Sequence, residues 1–179
     1  MPRKVIDKGL VQIYTGNGKG KTTASLGLAV RAIGHGCKIF MIQFMKGSKD
    51  NGELHTAEKY LPNLTIVQTG LETFVSKINP SQADIEQARR GLETAKKVIM
   101  EGQYDMVILD EINIALDYNL IELDDVIKII KNKPEHLELV LTGRNVPPRL
   151  AEYAHLISEV SLVKHPYDNG VPARKAIEY

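Results

Sequence analysis

The sequence predicts a three-layer α/β/α domain around a mainly parallel sheet, and three observations carry that prediction. Short apolar runs alternate along the chain with segments of helical period. A glycine-rich turn, Thr15-Gly16-Asn17-Gly18-Lys19-Gly20-Lys21-Thr22-Thr23, joins the first apolar run to the first helical one. Farther on, Asp105-Met106-Val107-Ile108-Leu109 ends on the carboxylates Asp110 and Glu111. With the strands parallel, the loops carrying these groups leave the carboxyl edge of the sheet, where ligands gather in such folds.

The elements follow in order. Leu10–Tyr14 reads as the first strand, and the helix after the glycine-rich turn ends at Gly34-His35-Gly36, because glycine accepts the left-handed geometry of a helix C-cap. Lys38–Phe44 reads as a second, buried strand, Met45–Gly52 as a loop leaving it, and Leu64–Gln68 as a short third strand. Residues 69–79 lack periodicity. Ser81 and Asp84 then stand at capping-box spacing, and Ile85, Ala88, Leu92, Ala95 and Ile99 repeat at helical intervals to about Met100. Asp105–Leu109 is apolar enough for a fourth strand covered on both faces. A helix over Leu123–Lys131, stopped by Pro134, precedes a fifth strand at Leu137–Thr142, and Val160–Val163 reads as a sixth. One domain over residues 1–179 is expected, with residues 1–8 as a flexible N-terminal arm.

Composition narrows the class. The chain has 179 residues, 43% hydrophobic and 25% charged, as in an ordinary globular protein. Its 23 basic and 22 acidic side chains leave a net charge of +1, so no large electrostatic footprint for nucleic acid is expected. No apolar run approaches the roughly 18 residues of a membrane span, and the N-terminal residues have no signal-peptide core. A cytoplasmic location without membrane attachment is the expectation. Cys37 is the single cysteine, which excludes an internal disulfide; it reads as a buried thiol. The five histidines show no paired metal-ligand spacing, and no Gly-x-Ser-x-Gly elbow occurs.

The glycine-rich turn carries the chemistry. Gly16, Gly18 and Gly20 leave backbone N–H groups free to converge on an anion, because no Cβ blocks the approach. Lys21 adds a positive charge, and the Thr22 hydroxyl can complete the shell of a Mg²⁺ ion. The usual leading glycine is replaced by Thr15. Asp110 is expected near that Mg²⁺, directly or through water. Glu111 suits two roles: orienting an attacking water in an ATPase, or binding Mg²⁺ or a ribose hydroxyl in a transferase. Arg144, after Thr142-Gly143, suits either a bidentate phosphate contact or a surface salt bridge. On the residues alone Arg31 reads as a solvent-facing position of the first helix.

Set side by side, the motifs are more specific. They are 15–23, Arg31-Ala32-Ile33-Gly34-His35-Gly36, Gln43-Phe44-Met45-Lys46-Gly47 with Asn51-Gly52-Glu53, Leu109–Asn113, Thr142-Gly143-Arg144, and Val163-Lys164-His165-Pro166-Tyr167-Asp168-Asn169-Gly170. In this order the chain closely resembles, over nearly its whole length, the P-loop ATP:corrinoid adenosyltransferases that act on cob(I)yrinic acid a,c-diamide and cobalamin. The resemblance implies a RecA-like P-loop domain that transfers the 5′-deoxyadenosyl group of ATP to Co(I), with triphosphate leaving. It implies that Gly16, Asn17, Gly18, Lys19, Gly20, Lys21, Thr22 and Thr23 hold the triphosphate, with Arg31 and Arg144 among the nucleotide-binding residues. Thr22, Asp110 and Glu111 would serve Mg²⁺ or Mn²⁺, and Lys21, Thr22 and Glu111 the reaction. ATP would lie reversed relative to ordinary P-loop NTPases, so that Glu111 touches ribose or metal. A homodimer and a separate electron-donating flavoprotein are also implied. Well-known members carry a Phe-x-Trp pair under the corrin; this chain has no Trp, and Phe74 is the expected substitute. The alternative reading is a RecA-like P-loop ATPase or nucleotide-dependent binding module.

Overall fold

The computed structural model describes residues 5–179. The expected N-terminal arm over residues 1–8 therefore falls partly outside the described residues; within it, Ile6 packs against the core.

Six strands form one sheet in the order β3-β2-β4-β5-β1-β6, and every adjacent pair is parallel. They are β1 (Val11–Thr15), β2 (Ile39–Phe44), β3 (Leu64–Thr69), β4 (Met106–Asp110), β5 (Glu138–Thr142) and β6 (Leu156–Glu159). The helices between them are α1 (Lys21–Ile33), α2 (Gly52–Tyr60), α3 (Gln82–Glu101), α4 (Ile112–Asp117), α5 (Leu123–Asn132) and α6 (Pro148–Ala151). Every residue of β2, β4 and β5 is buried, as expected of inner strands covered by helices on both faces. Period-two alternation divides each inner strand between two apolar layers. Phe40, Ile42 and Phe44 pack with α3 and α5 on one side, while Ile39 and Met41 pack with Ala29 of α1 and Ala57 of α2 on the other. Cys37 is buried in the second layer, as expected. No helix among the described residues is long and apolar enough to cross a membrane.

Two expectations are corrected and one helix is added. The sixth strand is Leu156–Glu159, and Val160–Val163 lies outside it. The Val160 N–H still reaches Thr15 O at 2.9 Å, but Val160 O turns to accept from the Gly18 N–H at 2.7 Å, which takes the chain off the sheet and onto the glycine-rich loop. Residues 52–60 form helix α2 beyond the expected loop; only Ala57 of it is buried, so its apolar stripe is too narrow to register as a period. The helix terminator is also divided: Gly34 keeps right-handed geometry at φ −58°, and Gly36 alone takes positive φ, 85°.

The α3 capping box is present. Ser81 Oγ accepts from the Asp84 N–H at 3.2 Å, and Asp84 Oδ2 accepts from the Ser81 N–H at 3.0 Å. Ser81→Ala is expected to cost about 1 kcal/mol. For a domain of this size that lowers the melting temperature by about 2–4 °C, which a thermal melt followed by circular dichroism checks.

Candidate active site

Strand β1 delivers the chain at Thr15 into the loop, and α1 begins at Lys21 with no side-chain cap. Its first-turn N–H groups have no intrahelical acceptor, so they and the helix dipole present positive charge to the space in front of the loop. The three glycines have different causes. At Gly16 a Cβ would stand 2.5 Å from Val160 O, and at Gly18 2.7 Å from Ser161 O. Residues 160–161 press against the loop at both positions, Gly16 also takes a positive φ of 93°, and the Gly18 N–H is engaged there. The expectation that all three N–H groups converge on an anion is therefore corrected for Gly18. Gly20 needs glycine for its φ of 123° at the helix entry.

Lys21 is buried at 7% exposure and donates to Gly18 O at 2.7 Å. Burial pulls its ammonium below the ordinary lysine range, Arg144 adds to that, and Glu111 and Asp110 oppose it. Asp110, fully buried at the end of β4, is the hub of the site. Its Oδ1 accepts from Thr22 Oγ1 at 2.8 Å and from Thr142 Oγ1 at 2.7 Å; its Oδ2 accepts from Lys46 Nζ at 2.8 Å. The ends of α1, β2, β4 and β5 are thereby tied to one carboxylate.

Glu111 turns out of β4 in the left-handed region, φ 61°, and its N–H donates to Thr142 Oγ1 at 2.9 Å. Such backbone in a non-glycine residue is strained and typical of functional positions. Burial, then Asp110, pushes the Glu111 carboxyl up, against Lys46, Lys21 and Arg144. The next strand supplies Arg144 through Gly143, where φ is 127° and Asn113 Nδ2 donates to the carbonyl at 2.9 Å. Arg144 is exposed and forms no ion pair among the described residues, so of its two readings the salt bridge is not made.

These groups line an open cleft of about 650 Å³. Asn17, Gly18, Lys19, Gly20, Lys21, Thr22, Thr23, Glu111 and Arg144 face it. Gly16 lies behind, under Val160, and Asp110 lies beneath. Arg31 stands apart, exposed in the last turn of α1 and not among the cleft-lining residues. Phe74 lines a second cleft of about 350 Å³, where its ring is fully exposed beside Met45, Gly47 and Leu71. The two clefts share Lys46, Glu53, Glu178 and Tyr179.

Sequence reasoning assigned no role to Lys46, although it stands in the Gln-Phe-Met-Lys-Gly motif. It also missed the C-terminal wall. Lys19 Nζ pairs with Glu178 Oε1 at 2.7 Å and donates to Ile177 O at 3.1 Å. Hydrogen bonds from Arg174, then Lys19, hold the Glu178 carboxyl down at about 2. No spacing rule brings residue 178 to residue 19.

Among the described residues no three His, Cys, Asp or Glu side chains gather into a metal cluster. A nucleotide-bound Mg²⁺ needs none, because phosphates and water supply most of its shell. The Thr22 hydroxyl and the Glu111 carboxylate are hard oxygen donors facing the cleft, and they suit such an ion.

The family described as ATP:corrinoid adenosyltransferase BtuR/CobO/CobP matches residues 7–179. The chain belongs to this family. Among relatives, the corrinoid adenosyltransferase of a Sinorhizobium species is 38% identical over 180 residues, spanning 100% of this chain and 84% of the relative. The corrinoid adenosyltransferase of Escherichia coli K12 is 35% identical over 173 residues, spanning 97% and 87%. Among solved structures, a KaiC-like protein from Pyrococcus horikoshii OT3 superposes with a TM-score of 0.56 at 16% identity, covering 90% of this chain and 78% of that one. The flagellar accessory protein FlaH from Methanocaldococcus jannaschii gives 0.59 at 12% identity, covering 87% and 74%. At such identities these structures speak for the fold alone: the adenosyltransferase chain is built on a RecA-like P-loop sheet.

Proposed function

We propose that the protein transfers the 5′-deoxyadenosyl group of ATP to the Co(I) of a corrinoid, forming a Co–C bond and releasing triphosphate. The observation that carries this reading is the pair of joined clefts: a P-loop cleft of polyphosphate chemistry opens into a second one edged by an exposed aromatic ring. Hydrolysis of ATP needs only the first. Transfer needs both, with the ribose C5′ at their junction.

The reaction explains what the chain does not need. The cobalt electron pair forms the Co–C bond as the C5′–O pair departs with triphosphate, and no proton moves, so no general base is required. The chain's tasks are approach geometry and charge stabilisation. Lys21, the first-turn N–H groups of α1 and Arg144 supply positive charge toward the triphosphate. Thr22 and Glu111 would hold Mg²⁺ or Mn²⁺, which when bound screens the charge of the leaving group. Asp110 has its oxygens engaged by Thr22, Thr142 and Lys46, and acts by fixing those three. Asn17 and Lys19 to Thr23 cradle the phosphates, Gly16 and Gly18 shape the loop, and Arg31 contributes to nucleotide binding only indirectly, through α1. The family resemblance supports a homodimer and a flavoprotein electron donor, and the reading takes residues 1–179 as one cytoplasmic catalytic unit.

Purified protein given MgATP and a chemically reduced corrinoid is expected to yield a light-sensitive Co–C product together with inorganic triphosphate. ADP and phosphate without corrinoid dependence would instead support a RecA-like ATPase. Phe74 is the proposed cover for the lower face of the corrin, excluding an axial ligand and easing reduction of Co(II). Phe74→Ala is expected to slow turnover from Co(II) about tenfold more than turnover from pre-formed Co(I), a difference equivalent to about 1.4 kcal/mol. Because the ring is fully exposed, the melting temperature should not move. Equal losses in both assays would remove this role.

A further inference from the structure

We propose that Lys46 is the cation that stabilises the oxygen leaving ribose C5′, an inference that rests on the adenosyl-transfer reading above. The argument begins with position. Of the four residues shared by the two clefts, Lys46, Glu53, Glu178 and Tyr179, only Lys46 carries a positive charge. If cobalt approaches from the second cleft, C5′ lies at the junction and its departing oxygen lies on the nucleotide side of it. Lys21 is turned into the loop, toward Gly18 O. Lys46 stands where the bond breaks.

Its placement is fixed from three directions. Lys46 Nζ donates to Asp110 Oδ2 at 2.8 Å, and the other oxygen of that carboxylate accepts from Thr22 in the P-loop helix. One buried group therefore sets both the P-loop hydroxyl and this ammonium. On the other flank Lys46 lies 3.9 Å from Glu53 Oε1, and Glu53 is held by Gln43 Nε2 at 2.8 Å, which Gln68 holds in turn at 3.1 Å. The backbone is clamped as well. Met45 sits in the left-handed region at φ 59°, which turns the chain sharply out of β2. A Cβ on Gly70 would come within 2.5 Å of Lys46 N, and one on Gly47 within 2.5 Å of Leu71 C, so the loops after β2 and β3 interlock with no room for side chains.

This construction suits a charge fixed in advance of the reaction. The C5′–O bond breaks heterolytically, both electrons remain on the α-phosphate oxygen, and the cobalt pair takes their place on carbon. Lys46 keeps its proton throughout. Its contribution is a cation that does not need to reorganise as negative charge accumulates.

The test compares wild type, Lys46→Met and Lys46→Arg with pre-formed Co(I) corrinoid, measuring kcat, the KM for ATP, and the equilibrium affinity for MgATP in the absence of corrinoid. Lys46→Met is expected to lower kcat by about 10²–10³-fold, while MgATP affinity changes by less than about tenfold. Lys46→Arg should recover at least a tenth of the wild-type rate. An unchanged kcat in Lys46→Met overturns the proposal; so does a loss of affinity as large as the loss of rate, which would make Lys46 a ground-state phosphate contact. Failure of arginine to rescue points to packing rather than charge and overturns it too. Should Lys46→Met melt early, Lys46→Gln, which removes the charge but keeps an N–H donor for Asp110, takes its place and is expected to show the same loss of kcat. Wild type making no Co–C product refutes the transfer reading itself, and that control is read before any variant.

Discussion

Lys21→Ala is expected to lower kcat/KM for ATP by about three orders of magnitude, with little loss of fold stability. The first half follows from charge. Lys21 is a buried cation on the P-loop, and the leaving triphosphate carries the charge that must be stabilised. The second half follows from its environment. Burial lowers the folded-state pKa of the ammonium, so the fold disfavours the charged form that the unfolded chain holds freely. Its hydrogen bond to Gly18 O recovers part of that cost. Deleting the side chain therefore removes function without removing a structural support. Steady-state kinetics and a thermal melt on the same sample check both halves. Activity unchanged by the substitution would overturn the P-loop assignment, and a collapse in melting temperature would show that Lys21 holds the loop together.

The contrast between Lys21 and its neighbours explains how much of the site could be read in the sequence. Strand, glycine-rich turn and helix start form a local pattern, and so do the apolar run ending on Asp110-Glu111 and the Ser81–Asp84 capping box. Each was legible because the residues that define it lie within a few positions of one another. The reason for Gly16 and Gly18 was not legible, because the atoms that exclude a side chain there belong to Val160 and Ser161. The same contact explains why the sixth strand was misplaced. Val160-Ser161-Leu162-Val163 has the composition of a strand, but its backbone is drawn to the loop, and Leu162 and Val163 are exposed. Lys46 was visible as part of a motif, yet its meaning depends on reaching Asp110, 64 positions away. Glu178 on Lys19 is the extreme case, at a separation of 159. Sequence pattern reports on local geometry; the charge balance of this site is assembled from ends of elements that only the sheet order brings together.

That assembly also predicts a large effect on stability. Asp110→Ala is expected to destabilise the fold by about 3–5 kcal/mol, the range for removing one partner of a buried ion pair. The melting temperature should fall by on the order of 10 °C. The cost arises from what remains: Lys46 loses its hydrogen-bonded carboxylate and keeps only the longer-range attraction of Glu53, at 3.9 Å, and of Glu111, while the hydroxyls of Thr22 and Thr142 lose their shared acceptor. Lys46→Met should in turn cost stability, because it leaves the fully buried Asp110 carboxylate with hydroxyl donors alone. A double-mutant cycle separates these causes. If the Lys46–Asp110 pair is as tight as 2.8 Å implies, Asp110→Ala/Lys46→Met will be less destabilised than the sum of the single variants, because the second change removes the charge that the first left unpaired. Strict additivity would mean that the pair is solvated and that Lys46 moves freely between the clefts. The residual cost in the double variant then measures what Asp110 contributes through Thr22 and Thr142, the two hydroxyls that tie the P-loop helix to β5.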